Sequence, residues 1–91
     1  MNSILQTEKE CFVCRTTLNL HCHHVFEGAN RHWSEQYGMK VWLCAHHHNM
    51  SDDGVHNNPK FNLSLKRYAQ RRFEEKYSHE EFMKIFGKNY L

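Results

Sequence analysis

Two short ligand pairs carry the clearest chemistry in this sequence. Cys11-Phe-Val-Cys14 is a C-x2-C pair, and Cys44-Ala-His-His47 is a C-x2-H pair that follows after an interval of 29 residues. A two-residue spacer lets one turn aim both side chains at a single point, and the long interval has only to return the chain. The spacing predicts one tetrahedral structural zinc site built from Cys11, Cys14, Cys44 and His47, with His46 and His48 as alternatives for the fourth ligand. Two disulfides are the competing reading of four cysteines. The paired spacing, the wealth of histidine and the absence of an apolar leader in residues 1–10 favour metal binding in a reducing cytosol.

A second set of imidazoles stands apart from those pairs. The chain has nine histidines, and eight of them lie between residues 21 and 56. Interior, irregularly spaced imidazoles at this density suit metal binding or proton transfer. With His47 on the zinc, His48 points elsewhere and is free for another task. His23, His24 and His56 are the further candidates. His21, His32, His46 and His79 read as structural or exposed, and Cys22 as a small core residue facing away from His23.

The elements that must position these groups follow in order. Residues 1–10 form a polar, frayed lead-in, and residues 11–15 a tight knuckle. Residues 17–26 read as a strand, with Leu18, Leu20, Cys22, His24 and Phe26 on one parity and Asn19, His21, His23 and Val25 on the other. A turn follows with positive φ at Gly28, and residues 31–38 form a loop or one helical turn. A second strand over residues 39–44 pairs antiparallel with the first, and residues 45–49 make a short helical turn carrying zinc ligands. After a loop over 51–59, Leu65, Ala69, Phe73 and Tyr77 recur every four residues and predict a helix over 62–77 with Asn62 as its cap. Ser78-His-Glu-Glu81 is a capping box opening a last helix through Phe86, closed by Gly87. The predicted class is α+β: a zinc-stabilised antiparallel hairpin plus helix, with additional C-terminal helices. One domain spans 1–91, divided into the lead-in, a metal core at 11–56 and a helical part at 60–91.

At 91 residues the hydrophobic core alone supports only marginal stability, and a structural zinc supplies the shortfall. A net charge of +2 is mildly basic and does not by itself identify a nucleic-acid partner. No stretch is long and apolar enough to span a bilayer.

Over residues 11–56 the chain resembles the HNH nucleases, whose core is a ββα-metal finger. The resemblance rests on the Cys11/Cys14 pair, the histidine pair within His-Cys-His-His-Val-Phe26, the apolar strand into Leu43-Cys44, and the C-x2-H-H-N run ending at Asn49. Gly54-Val-His56 downstream matches small phage or prophage proteins of this kind. Carried over, the resemblance makes His23 the first ligand of a catalytic divalent metal, His24 the general base and His48 the later ligand. His56 becomes an additional ligand, which requires the intervening loop to fold back. It implies DNA hydrolysis to 5′ phosphate and 3′ hydroxyl ends, RNA not being excluded. It further implies a bacterial cytoplasmic setting and phage packaging or recombination partners. Imidazole ligands favour Zn, Ni, Mn or Co over Mg in the second site. The family's middle asparagine, which orients the base, would fall near Met39 and Lys40; Asn30 or a backbone carbonyl would have to serve instead.

On the predicted long helix, Arg67 and Arg71 lie one turn apart and are candidates for phosphate contact, against a default of a solvated helix face. Two rival functions remain at this level. One is a non-catalytic zinc module that binds nucleic acid or protein; the other is a histidine-rich metal carrier, which leaves the ordered knuckle and strands unexplained.

Overall fold

At the centre of the chain two strands pair antiparallel, β1 over Leu20–His24 and β2 over Lys40–Cys44, with Cys22 opposite Trp42 and His23 opposite Val41. The computed structural model describes residues 1–91. After β1 come a short 3-10 turn at Gly28–Asn30 and helix α1 over Arg31–Tyr37. After β2 come a π-helical turn at His46–Met50, helix α2 over Pro59–Lys76 and helix α3 over His79–Phe86. The class is α+β, a two-stranded hairpin with several helices.

The hairpin is shorter than the alternation suggested, for local reasons. Asn19 adopts a positive φ of 53°, which breaks the extended run before β1. At the other end Phe26 is held from α1: its N–H donates to Ser34 Oγ at 3.0 Å, and that hydroxyl donates back to the Phe26 carbonyl at 2.7 Å. The expected loop or single turn at 31–38 is therefore a seven-residue helix pinned at its middle. Gly28 takes the expected positive φ of 60°.

The core lies between the hairpin and the last two helices. Val25, Phe26, Val41 and Leu43 bury against Leu65, Ala69 and Phe73 of α2 and Phe82 and Phe86 of α3. Phe82 meets Phe26 and Phe73 edge to face, with centroids 5.6 and 5.5 Å away. The predicted stripe of α2 is borne out through Phe73, whereas Tyr77 lies largely outside. Cys22 is exposed, contrary to its expected core placement. The core-facing parity of β1 is the one carrying His23 and Val25, so Cys22 takes the outward face with its Sγ 3.4 Å from Met1 Sδ.

Two boundaries also differ from the sequence reading. Residues 3–6 are not frayed. Ile4 N–H donates to the Gly38 carbonyl, Ser3 Oγ to the Lys40 carbonyl, and Trp42 N–H to Gln6 Oε1. Leu5 is buried beneath them, so this segment covers the open edge of β2. Helix α2 begins earlier than expected, because Asn58 rather than Asn62 caps it by accepting from Phe61 N–H. Pro59 takes the first helical position, where an N–H has no intrahelical acceptor. The last helix is as predicted: Ser78 Oγ accepts from Glu81 N–H, and Gly87 closes the end at φ 78°. No helix is long and apolar enough to cross a membrane.

Candidate metal centres

The knuckle at Cys11 folds through its own backbone. Cys11 N–H donates to the Thr16 carbonyl at 2.8 Å and Arg15 N–H to the Cys11 carbonyl at 2.9 Å, with Arg15 at φ 64°. This turn faces the end of β2 and the π-helical turn. Cys11 Sγ lies 3.7 Å from His47 Nδ1, Cys14 Sγ 3.8 Å from Cys44 Sγ, and Cys44 Sγ 3.2 Å from His47 Nδ1. Sulfurs ligating a tetrahedral zinc at about 2.3 Å stand about 3.8 Å apart, so the observed set is consistent with a zinc site. Burial opposes ionisation of Cys11, but backbone N–H groups of Cys14, Cys44 and Val13 outweigh it and hold the thiol down to about 6. Burial pushes the Cys44 thiol up. His46 does not compete for the fourth position: its ring faces Asp53, 3.4 Å away. His48 turns to a different cluster.

That second cluster joins His23, His48 and His56, whose ring nitrogens lie within 4.8 Å of one another. His23 is 2 % exposed, and its Nε2 is buried with no hydrogen-bond partner. His48 Nε2 and His56 Nε2 stand 3.0 Å apart. His56 arrives because the loop after the π-helical turn folds back. Val55 N–H donates to the His47 carbonyl and His56 N–H to the His48 carbonyl. Gly54 is required for this approach, since a Cβ there would sit 2.9 Å from the His48 carbonyl oxygen.

An orphaned buried nitrogen is destabilising, and a shared cation removes the penalty. Neighbouring ligands about 2.1 Å from a six-coordinate ion stand about 3.0 Å apart, the separation of His48 and His56, and the three imidazoles together form a cluster that could hold a cation. Burial, then the neighbouring His48 and His56, hold His23 down to about 3; burial, then His56 and His21, hold His48 down to about 4. Both rings are neutral at pH 7 and offer lone pairs. His21 stands behind His48, Nδ1 to Nδ1 at 2.9 Å. A cation on His48 Nε2 would leave the proton on Nδ1, to be donated to His21.

His24, the neighbour of His23, lines the same cleft of about 210 Å³ together with Glu27 and Arg31. Its Nε2 meets Glu35 Oε2 at 2.7 Å, and Glu35 Oε1 meets Lys40 Nζ at 3.1 Å. Hydrogen bonds from His24 and Lys40 hold the Glu35 carboxyl below its usual range. His24 Nδ1 makes no hydrogen bond within the protein. Sequence reasoning missed Glu35 because a loop or one helical turn at 31–38 gives its side chain no defined direction, whereas α1 does. Lys40 fills the place where the asparagine was sought, and it is buried. Asn30 Nδ2 donates to the Phe86 carbonyl at 3.2 Å, and Asn30 is not among the residues lining the cleft.

Of the two arginines singled out on α2, Arg67 Nε donates to the Tyr90 carbonyl at 2.9 Å and lines a separate cleft. Arg71 is exposed and lines no cleft. Comparison of the chain with protein-family models, curated proteins and solved structures gave no match.

The histidine cluster makes a direct prediction. His23→Ala and His48→Ala should each weaken Mn or Ni binding in calorimetry while keeping zinc and fold. His56→Ala, with its more exposed ring, should weaken it less. Unchanged affinity in both of the first two variants would remove these residues from the site.

Proposed function

We propose that this protein is an endonuclease of the HNH type that hydrolyses DNA phosphodiester bonds with the help of a divalent metal. The observation that carries the reading is the orphaned Nε2 of buried His23, facing His48 and His56, with His24 on the next residue lining the same cleft. In this reading the hairpin and the turn at His46–Met50 are a ββα-metal finger, held at their ends by the Cys11, Cys14, Cys44 and His47 zinc.

A divalent cation held by His23, His48 and His56 supplies Lewis-acid stabilisation of charge on the phosphate and the leaving oxygen. The chain's own residues supply the rest. His24 Nδ1, unengaged by the protein, accepts the proton of the attacking water. Glu35 accepts from His24 Nε2–H, which fixes the tautomer that leaves Nδ1 basic and stabilises the imidazolium once formed. Lys40 holds Glu35 in place from the floor of β2. Arg31, at the mouth of the cleft, draws the phosphate inward.

Supercoiled plasmid is the direct test. The zinc-loaded protein with Mn or Ni should convert it to nicked and then linear forms, and a chelator should stop the reaction. If the folded, zinc-loaded protein leaves plasmid intact with Mn, Ni, Co, Zn and Mg in turn, the nuclease reading fails. The non-catalytic zinc module then takes its place.

A further inference from the structure

We infer that the basic cleft between α2 and the C-terminal tail binds the phosphodiester backbone of the nucleic-acid strand running away from the histidine centre. The inference rests on the nuclease reading for the identity of the strand, and on its own geometry for the site. The cleft measures about 410 Å³ and is lined by Lys66 and Arg67 of α2 and by Lys88 and Tyr90 of the tail. Three cations line it, and no aspartate or glutamate side chain does; Leu91, the last residue of the chain, lines it as well. None of the three has an ion-pair partner, whereas Arg72 on the same helix pairs with Glu75. The Lys66 and Lys88 ammonium groups both gather around Tyr90, 5.5 and 5.3 Å from its ring centroid. A local excess of positive charge of this kind attracts an anion.

The wall is built rather than loose. Tyr90 N–H donates to Gln70 Oε1 and Asn89 Oδ1 accepts from Gln70 Nε2, both at 2.8 Å, and Gln70 is fully buried. Arg67 Nε closes the same tail onto α2.

The tail wall of the cleft also packs on the chain just past β1, the strand that carries His23 and His24. The Tyr90 ring packs 5.4 Å from Phe26, two residues beyond His24. A strand with one phosphate at the histidines must lay its next phosphates on adjoining surface, and this cationic surface is there to receive them. Contacts of this kind fix position without reading bases.

The test is binding rather than cleavage. A labelled short DNA duplex of arbitrary sequence is titrated with the full, zinc-loaded chain by fluorescence anisotropy, without a second metal so that nothing is cut. Lys66→Gln/Lys88→Gln should weaken binding about 10-fold or more and lower the salt slope by roughly two, one for each lost phosphate contact. Lys76→Gln/Lys84→Gln, which removes two cations outside this cleft, should leave the slope near the parent's. Equal affinity and slope in the Lys66/Lys88 variant, with its zinc content and melting curve intact, overturns the inference; so does a parent that fails to bind DNA. The two readings separate cleanly. A parent that binds through these lysines but never cuts keeps the cleft and sinks the nuclease. A parent that cuts while the variant binds unchanged does the reverse.

Discussion

Cys44→Ser, and equally Cys11→Ser, should leave a chain that holds no zinc and does not fold. Both side chains are buried, and with Cys14 and His47 they join the knuckle to the end of β2 and the turn at His46–Met50, beside the bond from Phe12 N–H to the Trp42 carbonyl. A structural zinc contributes about 10–16 kcal/mol to the folding of such small modules, whereas a whole domain is stable by only about 5–15 kcal/mol. Losing the ion therefore removes as much as the fold has to lose. Serine adds to the effect, because its hydroxyl is a poor zinc ligand. Metal analysis should give about one equivalent fewer of tightly held zinc, and far-ultraviolet circular dichroism should show no cooperative melt. A chelator should unfold the parent, and added zinc should restore it. A zinc-free Cys44→Ser protein with a parent-like melting transition would refute the assignment.

The contrast between this site and the histidine centre explains how much was legible in advance. Cys11 with Cys14, and Cys44 with His47, are short-range pairs, so sequence spacing states their geometry almost directly. The hairpin was legible from alternation, but parity alone does not say which face is inward, and Cys22 ended outside because His23 and Val25 claimed the core. His56 was legible only on condition that its loop returned, and Gly54 is what lets it return. Glu35 and Lys40 carried no signal. They reach His24 from a helix and from the opposite strand, and that convergence is a product of tertiary packing. The same holds for the basic cleft, whose tail wall is placed by Gln70 from the middle of α2. The start of α2 did carry a signal, Asn58 followed by Pro59, but it lay hidden in a run of turn-forming residues.

His24→Ala should keep zinc, keep the second metal and keep DNA binding, yet lower the cleavage rate by about 100-fold or more, the usual scale for a positioned base. The side chain is held by one partner, Glu35, and removing it leaves no buried group stranded, because Glu35 is exposed and retains Lys40. Glu35→Gln should produce a smaller loss, since an amide still reaches Nε2 but no longer stabilises the imidazolium. In the parent the rate should rise with pH through the range where imidazoles titrate, because only the neutral ring accepts a proton. Acid can also act by protonating the ligands; burial holds His23 and His48 down to about 3 and about 4, and saturating metal guards against loss at any of the three ligands, His56 included. Below that range the metal is expelled, and added metal reverses the loss. A fall in rate toward acid that persists at saturating metal therefore belongs to the base. If His24→Ala cuts plasmid at the parent rate, or loses its fold, the assignment of His24 is wrong, and His21, beside His48, becomes the next residue to replace.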